Sequence, residues 1–214
     1  MNTEHLQQGS ELGWEDTVAL FERRGLPESS YENLYEETYD VHPGPLAVAG
    51  DLDLDLDATA PSGAGIVVDG DLTVEGSIVN VDDGCPAVVV LGDLRAANVY
   101  LEGDAKLLVL GSVTVDAFIG NMTDKLVMIH GDLRAKATVL SSEFSPDLVG
   151  GTLHGAVVGP AYLDLAQDVD PASVLVPEVL RADGEEDWRS FDAPRVHGGR
   201  LLSRIDEGLP VVLG

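Results

Sequence analysis

The sequence is poor in cysteine, aromatic residues and basic residues, and each shortage excludes a class of protein. The single cysteine, Cys85, cannot form an intrachain disulfide. Aromatic residues make up only 5% of the chain, so the core has to be aliphatic. Twelve basic residues stand against 38 acidic ones, which gives a formal net charge of −26. Such a field repels nucleic acid and anionic lipid, so we expect no direct nucleic-acid partner, and any partner should be a basic protein.

Long apolar stretches are also missing. No run approaches the roughly 20 residues that a membrane span requires. The first residues, MNTEHLQQGSELGW, contain no basic segment followed by an apolar run, so we expect no secretory signal. These features predict a cytoplasmic protein without a membrane partner. The acidity taken alone indicates solubility or adaptation to a saline cytoplasm before it indicates a partner.

The chain does contain an internal repeat. Five segments align on one glycine, at spacings of 20, 22, 19 and 20 residues. The segments are LAVAGDLDLD (Gly50), IVVDGDLTVE (Gly70), VVVLGDLRAA (Gly92), LLVLGSVTVD (Gly111) and VMIHGDLRAK (Gly131). The positions two and four residues before and after each glycine are aliphatic in all five segments. Alternation of period two indicates strands with one buried face, and its recurrence stacks those strands in parallel.

We therefore predict a mainly β protein, a parallel β-solenoid (β-helix) of about five to six coils of ~20 residues. An antiparallel sandwich would instead show turn signals every 8–12 residues. Residues 46–165 form the predicted solenoid, residues 1–45 a helical N-terminal cap, and residues 166–214 an acidic loop with a C-terminal cap. Within the caps, the pattern predicts helices at 14–24, ended by Gly25, and at 200–207. Both caps are expected to hide the open ends of the solenoid.

Aspartates form the candidate binding surface. Four of them, Asp51, Asp53, Asp55 and Asp57, alternate with leucines, so that they project from one face of a strand. A second row, of Asp51, Asp71, Asp93 and Asp132, runs across the coils with Ser112 interrupting it. The residues assigned to partner binding are Asp51, Asp53, Asp55, Asp57, Asp71, Asp93 and Asp132. Stacked carboxylates repel one another and are also consistent with a calcium site, although no calcium-binding nonapeptide repeat is present. The main expectation is a solvated acidic face without metal or cofactor.

Catalytic motifs are missing from the sequence. No HExxH or Cys/His pair indicates a metal site, and Cys85 has no recognisable base beside it. His130 occupies a repeat position that Asp69 and Leu91 hold in other coils, which indicates an outward, non-catalytic place. We therefore expect a protein that is not an enzyme.

At GDLTVEGSI (70–78) and in the coils that follow, the sequence resembles the bactofilins, a group of polymer-forming β-helical scaffold proteins. The resemblance covers residues 46–140 and implies end-to-end polymerisation through bare solenoid ends. The chain departs from that group in its aromatic-containing flanks. The chain is also similar to uncharacterised bacterial proteins that accompany toxins as immunity partners.

These observations lead to two functional hypotheses. The first is a non-enzymatic acidic interaction protein, monomeric or dimeric, that neutralises a basic partner such as a toxin. The alternative is a bactofilin-like, filament-forming cytoskeletal scaffold. The state of the solenoid ends distinguishes the two, because a filament needs exposed terminal coils.

Overall fold

The computed structural model describes residues 9–34, 36–55, 65–84 and 86–214, and it is a parallel β-solenoid. The predicted fold class is therefore confirmed. Three elements precede the solenoid: β1 (Ser10–Gly13), α1 (Trp14–Arg24) and α2 (Glu28–Tyr31).

Six coils follow, and they stack into three flat faces. The first face contains β2 (Thr38–Pro43), β5 (Gly65–Asp69), β8 (Val88–Val90), β11 (Lys106–Val109), β13 (Leu126–Ile129) and β15 (Leu148–Val149). The second face begins with β3 (Leu46–Val48), β6 (Leu72–Val74) and β9 (Leu94–Arg95), and the third with β4 (Leu52–Asp53), β7 (Ile78–Asn80) and β10 (Asn98–Leu101). The long strands β12 (Val113–Asn121), β14 (Leu133–Ser141) and β16 (Leu153–Val158) complete both of these faces.

The interior of the solenoid is filled by the aliphatic columns that the repeat predicts. Their members are buried, except for the half-buried Leu46 and Ala96, and the rings of Phe118 and Phe144 join them. Every coil contributes its apolar side chains to this one interior, so no coil is stable without its neighbours.

The predicted register is wrong in the first coil. Leu46 pairs with Leu72, and the Gly76 N–H donates to the Gly50 carbonyl at 2.8 Å, so Gly50 is equivalent to Gly76 rather than to Gly70. Gly44 takes the first corner instead, where a Cβ would lie only 2.6 Å from the Gly70 Cα. The prediction failed because the first coil carries a glycine at each of its first two corners, Gly44 and Gly50.

The N-terminal segment lies on the outside of the first face instead of only over the end. Helix α1 ends as predicted, at Gly25 with φ of 81°. Its side chains Leu20 and Phe21 pack with outward-pointing residues of successive strands of this face, namely Val67, Val89 and Leu108. Only β1 lies at the end, where it pairs antiparallel with β2.

The C-terminal segment covers the outside of the third face in the same way. It contains two 3-10 turns, Pro171–Ser173 and Pro177–Val179, and the helix α3 (Gly198–Asp206). Leu201 and Ile205 of α3 pack over outward residues of the face such as Ile119 and Val139. Both flanks thus cover the sides of the solenoid, because the outward apolar columns of these two faces would otherwise be exposed to water.

The far end of the solenoid is met by a loop. Leu163 packs against the solenoid interior. Gln167 brackets the last strand, since its N–H donates to the Val157 carbonyl (3.0 Å) and its Oε1 accepts from the Val157 N–H (3.3 Å). This segment therefore performs the capping expected of the C-terminal region, without a helix.

Candidate interaction surface

The outer side of the second face is the one flat surface over which no flanking cluster of the described residues packs. Its central column reads along the stack as threonine, arginine, threonine, arginine and histidine, all exposed or half-buried. These residues are Thr73, Arg95, Thr114, Arg134 and His154. The surface therefore carries positive as well as negative groups.

The predicted aspartate row lies at the edge of this face, along the first corner. The Oδ1 of Asp71 accepts the N–H of Asp93, and the Oδ1 of Asp93 accepts the N–H of Ser112, both at 2.8 Å. The Ser112 hydroxyl accepts from Asp132 N–H (3.0 Å), and Asp132 accepts from Thr152 N–H (2.8 Å). The row is thus a ladder in which each side chain fixes the backbone of the next coil.

Mutual repulsion in this ladder is offset by the donors that each carboxylate meets. The Thr152 N–H, assisted by the Arg134 guanidinium and His154, lowers the pKa of Asp132 below its ordinary value. One oxygen of each carboxylate is engaged with the backbone. The second oxygen of Asp132 pairs with Arg134 and His154, whereas those of Asp71 and Asp93 meet no ion-pair partner among the described residues and are left for solvent or a partner. Sequence reasoning missed this structural role, although the replacement of aspartate by another hydrogen-bonding residue, Ser112, was a signal for it.

The aspartates of the first coil do not join this row. Asp51 lies at the second corner, is 8% exposed, and accepts the Ser77 N–H at 2.7 Å. Asp53 accepts the N–H of Asp55 at 3.0 Å. Asp55 accepts from the Val81 N–H and the Asn80 amide, and burial raises its pKa. The predicted continuity of Asp51 with Asp71 is therefore wrong, and Asp57 lies outside the described residues.

Most of the few basic side chains are neutralised within the protein. Among the described residues, seven ion pairs join arginine or lysine to carboxylates: Arg24–Asp69, Lys106–Glu36, Arg134–Asp132, Lys136–Asp116, Arg189–Glu102, Arg195–Asp170 and Arg200–Glu185. Because acidic residues exceed basic ones by 26, this pairing leaves a large surplus of carboxylates on the surface.

A second surface lies where the turns between the third and first faces meet the C-terminal segment. We call it the seam surface and define it by Met122, Ser142, Glu143, Tyr162, Trp188, Ser190 and Asp192. Three of its apolar side chains are unusually exposed: Trp188 at 73%, Tyr162 at 57% and Met122 at 48%. An indole so open to water is rare in a folded chain.

Hydrogen bonds tie the two sides of the seam surface together. The Tyr162 hydroxyl donates to Asp192 Oδ2 at 2.5 Å, and the hydroxyl of Ser141 and the N–H of Ser142 donate to Asp192 Oδ1 at 3.1 and 2.8 Å. Burial opposes ionisation of Asp192, but these hydrogen bonds outweigh it and lower its pKa.

The backbone beneath the seam surface is strained. Met122, Ser142, Glu143 and Ser190 all have positive φ, between 52° and 70°. Non-glycine residues rarely adopt this conformation, and each instance costs on the order of 1–3 kcal/mol. The strain is maintained by cross-links such as the amide of Asn121, which donates to the Arg189 carbonyl at 3.4 Å.

A buried ion pair lies next to Trp188 and holds the arginine that stacks on its ring. Arg189 pairs with Glu102, and their side chains are only 11% and 13% exposed. The Tyr100 hydroxyl donates to the same carboxylate, and burial together with Glu102 raises the pKa of Tyr100. The Arg189 guanidinium lies 4.3 Å from the centroid of the Trp188 ring.

Neither a metal-binding cluster nor a membrane-spanning helix is found among the described residues. Among 9–34, 36–55, 65–84 and 86–214, no three His, Cys, Asp or Glu side chains lie in positions that could hold a metal ion. His130 donates to or accepts from the Ser30 hydroxyl at 2.9 Å, beneath the N-terminal segment, and Cys85 lies outside the described residues. In the same part of the chain, no helix is long and apolar enough to cross a bilayer.

Comparisons with known proteins identify no relative: no family model, no curated protein and no solved structure matches the chain.

Proposed function

We propose that this chain is a non-enzymatic interaction protein that binds a basic protein partner, as an immunity protein binds the toxin that it neutralises. The observation that carries the proposal is the distribution of charge. Most of the basic side chains form ion pairs within the protein. The surplus acidic residues therefore give the surface a negative electrostatic potential. Such a field accelerates association with a basic protein and discourages acidic competitors.

The rigidity of the solenoid supports the same proposal. Two of its faces are closed by the flanking segments, and the interior is a continuous apolar stack. A rigid body loses little conformational freedom on association, which favours binding. The proposal includes the cytoplasmic location predicted from the sequence.

The geometry of the first coil argues against the filament alternative. End-to-end stacking would require another copy to add a parallel strand to the outer edge of β2. That edge is already occupied by β1, which runs antiparallel. An antiparallel edge strand does not continue a parallel stack, so we favour a discrete monomer or dimer.

The proposal is tested by identifying a direct binder and measuring its salt dependence. We expect the partner recovered at low salt to be basic, to bind the purified chain with defined stoichiometry, and to associate more slowly as ionic strength rises. The triple variant Asp71→Asn, Asp93→Asn, Asp132→Asn should slow association and leave dissociation nearly unchanged, because charges outside the packed contact act mainly on the encounter rate.

The matched control carries the same change of net charge on other exposed aspartates: Asp83→Asn, Asp168→Asn, Asp183→Asn. If the control variant slows association less than the row variant does, the aspartate row is the part of the surface that guides the encounter. Acidic direct binders, or basic ones whose association is indifferent to salt, would contradict the proposed function.

A further inference from the structure

The aromatic rings of the seam surface are exposed and at the same time held in place. The Trp188 indole lies against the backbone of Gly199, where an added Cβ would come within 2.8 Å of its Nε1, and Arg189 stacks on the ring. Tyr162 is fixed through its hydroxyl, which also accepts the N–H of Glu143 at 3.3 Å. Rings fixed before binding lose little entropy when a partner covers them.

The residue types match those that dominate binding energy at protein interfaces. Tryptophan, tyrosine and arginine are enriched among interface residues whose truncation costs most. Strained backbone that is over-determined by surrounding hydrogen bonds also concentrates at functional sites. The seam surface combines both features, since Tyr162 bonds to Glu143 and Asp192, and Trp188 lies two residues before Ser190, whose carbonyl accepts from the Ser142 hydroxyl.

The charge around the rings selects the class of partner. Glu143 and Asp192 are exposed within the seam surface, and Asp124 is exposed two residues beyond Met122. The nearby cations are engaged internally. Arg189 pairs with Glu102, and the Lys125 ammonium donates to the carbonyls of Glu102, Asn121 and Met122. The outward charge here is therefore negative.

We propose that the seam surface is the anchor for the basic partner, in which an arginine or lysine of the partner stacks on Trp188 or Tyr162 and its charge faces Glu143 and Asp192. A cation over an aromatic ring gains a contribution that arginine exploits most often. This inference rests on the proposed function and adds the place and chemistry of the main contact. The seam surface controls the lifetime of the complex, whereas the aspartate row, at a different corner of the solenoid, influences only the encounter.

The test uses a labelled peptide of arginine, glycine and serine as the probe, with glutamate replacing arginine in a second peptide. We expect the basic peptide to bind, with Trp188→Ala and Tyr162→Ala each weakening affinity by roughly tenfold or more. Trp188→Phe should retain most of the affinity, because it keeps an aromatic face. Leu209→Ala is the matched control: Leu209 is also exposed, at 40%, but lies beyond the opposite end of α3.

The outcomes separate this inference from the proposed function. Loss of affinity in Trp188→Ala through faster dissociation, with the row triple variant changed only in association, supports the anchor. Unchanged affinity in Trp188→Ala and Tyr162→Ala, with the basic peptide still bound, overturns the anchor and leaves the proposed function standing. If the wild-type chain binds basic and acidic peptides equally, or binds neither, both are overturned. Circular dichroism melting of each variant verifies that the fold is retained.

Discussion

Aspartate residues at the first corner show how one residue type serves both the fold and the surface. In the ladder, Asp93 accepts the Ser112 N–H from the following coil, while its other oxygen remains outward. The same position accepts serine in coil four, because a hydroxyl can perform the same hydrogen bonding. The ladder thus continues through coil four without a charge, and we expect the acceptor, rather than the charge, to stabilise the fold.

This distinction predicts the effect of two substitutions of Asp93. Asp93→Ala leaves the Ser112 N–H without its acceptor and should lower the free energy of unfolding by about 1 kcal/mol. Asp93→Asn makes the same change in net charge but keeps an oxygen, so its stability should stay close to that of the wild type. Urea unfolding measures both. Equal destabilisation by the two variants would mean that charge, rather than hydrogen bonding, matters here.

The flanking helices are elements whose position is set by a few polar contacts as well as by apolar packing. Arg24 of α1 pairs with Asp69 at 3.1 Å, and Ser30 of α2 contacts His130 at 2.9 Å. Asp69 and His130 hold the same repeat position in different coils, so this column of the solenoid fixes both helices. The outward place predicted for His130 is correct, and its function there is attachment.

The contact with His130 makes the attachment sensitive to pH. Burial lowers the pKa of His130 below its ordinary 6.5, so the unfolded state binds more protons than the folded state between these two values. The stabilisation that neutral His130 contributes to the folded state is complete above pH 6.5. It is lost as the pH falls toward the lowered pKa that His130 has in the folded state. We expect hydrogen-exchange protection factors of α1, relative to those of β12, to decrease between pH 7.5 and 5.5.

The variant His130→Gln should remove most of that pH dependence, because glutamine does not titrate. His154→Gln is the control, since His154 lies on the uncovered second face and does not touch the N-terminal segment. Identical pH profiles of the wild type and His130→Gln would exclude His130 as the responsible group.

At the scale of the whole molecule, the three faces of the solenoid differ in what covers them. The first and third faces are closed by the chain's own flanks, and the second presents a mixed polar column. Together with β1 on the edge of β2, this arrangement supports our proposal of a closed unit over a repeating segment of a filament.

Light scattering after size exclusion tests this description of the whole molecule. We expect a monomer or dimer at both low and high salt, because the edge of β2 is occupied and the net charge of −26 opposes self-association. Megadalton assemblies that persist at both salt concentrations would contradict the closed unit and return the scaffold hypothesis to first place.

The sequence by itself determined the repeat, the aliphatic interior and the parallel stacking, because these follow from local alternation repeated at a nearly constant spacing. It also contained an unused signal for the covers. Outward positions are apolar on the first face, as at Val67 and Val89, but polar on the second, as at Thr73 and Arg95. These columns predict which faces need burial, although not which segment supplies it.

Only the tertiary structure decided the register of the first coil, the lateral place of the flanks and the existence of the seam surface. Gly44 and Gly50 fit a corner equally well by local criteria, and the choice between them depends on pairing with β6 in the next coil. Tyr162 and Asp192 are 30 residues apart and meet through a hydrogen bond, and the Asp192 carboxylate also accepts the N–H of Ser142, 50 residues away. Contacts between segments so distant along the chain depend on the packing of the whole molecule, and no local periodicity encodes them.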